Sequence, residues 1–227
     1  MPGLMRLKLT FAFYSAIINF DKRLGCSMLA ALDMPQALKI TLKYDGPSVD
    51  DGTMPVEDVV NALQGFAGAY GKIATRIDPQ RDHQLRVAAI ATGSFELLIG
   101  AWIVTQAAAA GIESLKPVVD AARWVYSTLK GIISIKKHTK GRPYDISVRG
   151  EGNTVIVFNS DGTQLNATPE VFESFKSSLV DSDLNKIASP LSPERVESVK
   201  ISSEDDPEPV IITAGDRDAF VRRWKAS

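Results

Sequence analysis

The stretch GSFELLIGAWIVTQAAAAGIESL, residues 93–115, decides how the chain is read. Between Glu96 and Glu113 it carries no charge. It offers three readings: a membrane span, a buried helix, or a strand that turns into a helix. As a single helix, residues 97–112 supply 16 positions, against the ~20 that a bilayer requires. The residues just before it settle the choice. Residues 85–91 and 95–99 are two apolar runs separated by Thr92-Gly93-Ser94, the pattern of a β-hairpin. Residues 101–112 are then left for a short, Ala-rich buried helix.

Downstream, Lys116-Pro117 opens another helix, with proline in its first turn. Val118, Ala121, Ala122, Val125, Leu129, Ile132, Ile133 and Ile135 recur at helical spacing, and basic residues, Gly141 and Pro143 close it. Residues 101–138 therefore read as an apolar helical hairpin. Upstream, ALKITLKYDG (37–46) alternates as a half-buried strand. Thr53 is expected to cap a long amphipathic helix with Pro55, Glu57 and Asp58 in its first turn, ending before Asp78-Pro79. Within it Gly65, Gly68 and Gly71 share a spacing of three, which suggests a face pressed on a neighbouring backbone. His83, in the charged turn RDHQ, is expected to be exposed. Beyond the helical hairpin come a second β-hairpin (145–149 with 154–158) and a helix capped by Thr168. Polar DSDLNKIASPLSP follows, then strand VESVKIS, acidic loop SEDDPEP, strand VIIT and a short terminal helix. The order predicts an α+β fold with a mostly antiparallel sheet built from β-hairpins, one long amphipathic helix and an apolar helical hairpin. Three parts are expected: an N-terminal extension (1–33), a core (34–160), and a C-terminal subdomain (161–227) packed on the core.

The extension has Arg6 and Lys8 before an apolar run, like the start of a secretion signal, but Asp21, Lys22 and Arg23 follow it. Translation starting at Met28 or Met34 and a structural extension of the fold are the other readings. With 26 basic and 27 acidic residues, the chain has no global basic field to draw in nucleic acid or an anionic membrane. Cys26 is the single cysteine, so no intrachain disulfide forms. One cysteine with His83 and His138 does not make up a common zinc site. No phosphate loop, dinucleotide fingerprint, GxSxG or HExxH occurs, and no cofactor is expected.

KYDGPSVDDGTM (43–54), VVNALQGFAGAY (59–70) and GSFELLI (93–99) occur in that order. Together they resemble a family of uncharacterised bacterial and phage-encoded proteins with the signature Tyr-x-Gly-Pro, Asp-Gly-x-Met, Gly-Ser-Phe-Glu. The resemblance spans roughly residues 37–150. It implies an architecture and a mobile-element context, and no catalytic residues.

Two charged clusters remain. Asp50 and Asp51, with Glu57 and Asp58 nearby, are the densest carboxylates beside a loop and raise the possibility of a metal-dependent enzyme. Their simpler reading is a turn plus compensation of a helix dipole. Residues 130–149 hold six cations against one acid. Of these, Lys136, Lys137, Lys140 and Arg142 are the candidate binders of an anion or lipid phosphate. The acidic stretch 194–208, six acids to two bases, is expected to pair with this basic end within the chain or across a subunit contact. Trp124 and Ile132 are expected at an oligomer interface, because the helical hairpin holds more apolar surface than one small sheet hides. The composite expectation is a cytoplasmic, non-enzymatic binding or regulatory protein that acts as a homo-oligomer. A membrane-active effector using residues 97–138 is the alternative.

Overall fold

The computed structural model describes residues 38–91, 95–104, 116–150 and 153–221. Among them are eight strands, all antiparallel, in two sheets, with five α-helices. The fold is α+β, as the hairpin-rich sequence predicts. The expected extension 1–33 and residues 105–115 lie outside the described residues.

Strand β1 (Leu38–Asp45) sits at the centre of the five-stranded sheet, in the order β2-β3-β1-β7-β8. Its alternation is the cause: Leu38, Ile40, Leu42 and Tyr44 are buried, while Lys39, Thr41 and Lys43 point to the other face. Helix α1 (Val56–Ile77) contributes Ala62, Phe66, Ala69, Tyr70 and Ile73 to the same core. Strand β2 (Asp82–Ala91) pairs with β3 (Phe95–Val104) as the sequence predicts, with a bulge between Val87 and Ala89. β3 lies between β2 and β1, an internal strand. That position explains why residues 97–104 carry no charge. The strand extends to Val104, so residues 101–104, expected to begin the helical hairpin, belong to the sheet. The second arm of that expected hairpin is helix α2 (Lys116–Thr139). Among the described residues no helix is long and apolar enough to cross a membrane.

Strands β4 (Tyr144–Arg149), β5 (Thr154–Asn159) and β6 (Gln164–Ala167) form the second sheet. Helix α3 (Pro169–Lys176) follows, and the hydroxyl of Thr168 accepts from the Val171 amide, the expected cap. Its Phe172 and Phe175 pack on Tyr144, with ring centroids 6.3 and 5.6 Å away. Helix α4 (Asp181–Ala188) occupies the first part of residues 181–193, a stretch to which the sequence assigned polarity but no element. Leu184, Ile187 and Ala188 give it one buried stripe, laid against α1. Strand β7 (Ser198–Ser203) returns to pair with β1, and β8 (Asp206–Thr213) forms the far edge. β8 starts inside the stretch read as an acidic loop. Pro207 and Pro209 are tolerated there because an edge strand has amides that need no partner. Helix α5 (Arg217–Val221) ends the described chain.

Two signatures of the resemblance have structural causes. Gly46 has φ +145°, and a Cβ there would lie 2.6 Å from the Glu197 amide nitrogen, so only glycine lets β1 leave the sheet beside residues 195–197. In the acidic turn, Asp51 Oδ1 accepts from the Thr53 amide (2.9 Å) and hydroxyl (2.7 Å). These bonds hold the Asp51 carboxyl below its ordinary value. Thr53 is thereby occupied and does not cap α1. Pro55 holds the N-cap position, with no side-chain hydrogen bond. The local Asx-type turn has won over the cap.

Candidate functional site

The basic end of α2 is built from residues that face different neighbours. Lys136 is buried, and its Nζ lies 2.8 Å from Asp181 Oδ1 at the start of α4. Lys137 donates to the Ile211 carbonyl and lies 3.5 Å from Asp216. Lys130 reaches Asp206 (2.5 Å) and the Glu208 carbonyl (2.7 Å), and Arg123 reaches Asp205 (2.8 Å). Of the six cations at 130–149, the acidic stretch 194–208 pairs within the chain with Lys130 alone among the described residues, and its Asp205 instead reaches Arg123 earlier on the helix. Lys140 and Arg142 remain exposed in the turn that closes α2, where Lys140 adopts φ +46°. The six-cation cluster is thus divided. Half of it fastens α2 to the C-terminal third of the chain, and Lys140, Arg142 and Arg149 carry no ion pair among the described residues.

The Lys130 hydrogen bond above all holds the Asp206 carboxyl below its ordinary value, and burial works in the opposite direction. A depressed carboxylate stabilises fully above the unfolded-state pKa of ~3.9, and its contribution is lost as pH falls through the lower folded-state value. Lys130→Met should therefore lower stability at pH 7 by no more than about 1 kcal/mol, because the pair is partly solvated. The deficit should shrink below about pH 4. Urea unfolding of both proteins across pH 3–7 checks this, and a deficit that is constant with pH would contradict it.

The His83 side chain, 3% exposed, is buried rather than solvated as its charged turn suggests. Its Nε2 lies 3.1 Å from Asp78 Oδ2, which also accepts from Arg81 Nη1 at 3.1 Å, and the Tyr70 hydroxyl lies 3.5 Å from its Nδ1. A carboxylate, an imidazole and a hydroxyl in line invite comparison with a nucleophile relay. Tyr70 is buried, however, and burial together with the Asp78 charge pushes its phenol up, so it stays protonated and out of reach of a substrate. The chain of contacts ties the end of α1 to edge strand β2. Its signal in the sequence is Asp78, five residues before His83.

Asp51 serves its own turn, as described, and Asp58 lies 3.5 Å from Arg195. Among the described residues no group of three His, Cys, Asp or Glu side chains converges as a metal site would. An open groove of about 650 Å³ runs along α1, lined by Gly68, Gly71, Lys72, Thr75, Arg76 and Leu179. Its cations are engaged: Lys72 holds Asp183 at 2.6 Å, and Arg76 donates to the Ser177 hydroxyl at 3.1 Å.

The apolar candidates separate. Ile132 is fully buried inside the chain together with Ile133 and Ile135, so it cannot belong to an outward surface. Sequence periodicity alone did not reveal how completely α2 is covered. Trp124 is 48% exposed. On β4, Ile146 is 51% and Val148 57% exposed, a pair that the sequence reading did not single out. No family model, curated protein or solved structure matches the chain.

Proposed function

We propose that the protein is a non-enzymatic binding or regulatory component that works as a homo-oligomer. The observation that supports this most directly is the apolar side chains presented outward: Trp124 on α2, and Ile146 and Val148 together on one strand. Neighbouring large apolar groups left in water mark association surfaces, whereas single ones do not. The division of the basic cluster points the same way. Lys136 and Lys137 are held by the fold, and Lys140 and Arg142 remain to meet an acidic group on a partner. A cytoplasmic site of action and a phage or mobile-element context, the latter implied by the resemblance, belong to this reading.

Sedimentation velocity of the full chain tests it. The weight-average mass should rise above the 24.6 kDa of one chain as concentration increases to about 100 µM, the range in which small interfaces associate. One monomeric boundary throughout that range would sink the proposal.

A further inference from the structure

The outer edge of β4 carries a self-complementary pattern, and we infer that two copies of this chain join there, β4 against β4, about a two-fold axis at Ser147. This rests on the homo-oligomer reading and names its surface. The second sheet runs β4-β5-β6, and among the described residues nothing pairs with the outer edge of β4. Such an edge presents unpaired amides and carbonyls and is a template for another strand. A closed dimer requires one patch that complements itself under a two-fold rotation.

Antiparallel pairing centred on Ser147 sets Asp145 of one copy opposite Arg149 of the other, twice. It also sets Ile146 opposite Val148, twice. Asp145 and Arg149 are exposed and have no ion pair among the described residues, and Ile146 and Val148 are the exposed apolar pair. Opposite charges and apolar pairs directly across a ladder both stabilise it. A slip of one residue would put Ile146 against Ser147 and mix the faces, and centring on Ile146 would put Asp145 against Ser147. Among these registers only the one at Ser147 satisfies charge and apolarity together. Ile146 and Val148 share a face of β4 with the side chains opposite them on β5, the buried Val157 and Val155. The joined strands would therefore prolong a layer that is already apolar. Two three-stranded sheets would become one continuous sheet.

The charge pairs make a direct test. D145R and R149D are prepared separately in the full chain, with circular dichroism to confirm folding. Each alone should sediment as monomer at concentrations where the wild type associates, because each places like charges opposite one another at two positions. Mixed in equal amounts, they should recover the wild-type mass, because every cation again meets an acid. Ile146→Thr keeps a strand-forming residue and should weaken association about tenfold. The inference is overturned if the single variants associate like the wild type, if their mixture stays monomeric, or if Ile146→Thr is silent. In those cases an associating wild type would leave the homo-oligomer reading standing, with its interface elsewhere. A monomeric wild type would remove both.

Discussion

Gly65→Ala should destabilise the protein by about 2–4 kcal/mol, while Gly71→Ala, on the same helix, should stabilise it by up to about 1 kcal/mol. Helix propensity alone predicts the same gain at both sites, since alanine is the better helix former by roughly 1 kcal/mol. Packing separates them. A Cβ on Gly65 would stand 2.6 Å from the backbone carbonyl oxygen of Asp183, and 3.0 Å from Ile187 Cγ1 and Lys186 Cβ. Backbone cannot swing aside as a side chain can, so α4 must move off α1. Leu184 and Ile187, fully buried, would lose contact with it. A Cβ on Gly71 meets nothing within 4 Å. Gly68 is intermediate, because the atom in the way is the Asp183 carboxylate, held by Lys72. Thermal and urea unfolding of the two alanine variants measure the contrast. Equal effects at both sites would mean that α4 does not press on α1.

The glycine spacing was legible in the sequence as a sign of close approach to a backbone, and Gly65 fulfils it, whereas Gly68 meets a side chain and Gly71 meets nothing; the partner was not legible. Helix α4 has two turns and three buried apolar residues set among Asp181, Ser182, Asp183, Asn185 and Lys186. That is too little periodicity to stand out from a polar loop, although Val180, Leu184, Ile187, Ala188 and Leu191, all buried, hold the helical spacing. Long elements were easier. The 22 residues of α1 repeat their pattern often enough to place the helix and its end, but not its start: Pro55, expected inside the first turn, holds the N-cap position. β3 was legible from its hairpin partner, yet its end was not, because an internal strand and a buried helix are both simply apolar. The charged residues were the least legible. A run of lysines reads the same whether it is solvated or tied to acids far along the chain. Lys130, Lys136 and Lys137 find theirs at Asp206, Asp181 and Asp216. His83 was misread for the same reason: Asp78 and Tyr70 satisfy it only once α1 folds back on β2.

The Lys136–Asp181 pair provides the second large effect, and its two members should respond unequally. Asp181→Ala should cost about 2–4 kcal/mol, and Lys136→Met less than about 1 kcal/mol. The Lys136 side chain is 8% exposed, and that of Asp181 is 32% exposed. Removing the carboxylate strands an ammonium where water barely reaches it, and a buried charge without its counter-ion is among the most expensive defects in a fold. Removing the ammonium leaves a carboxylate that water can already solvate, and methionine keeps the apolar stem in place. Equilibrium unfolding of the two single variants and the double variant measures the coupling. The double variant should fall near Lys136→Met, because Asp181→Ala does harm only while the ammonium is present. The same experiment separates the two roles that the sequence allowed for this lysine. A Lys136 that served an external anion would leave both variants as stable as the wild type and would lower only binding to phosphate or anionic vesicles. A Lys136 that fastens α2 to α4 gives the unequal losses, and binding to those vesicles per folded molecule stays unchanged.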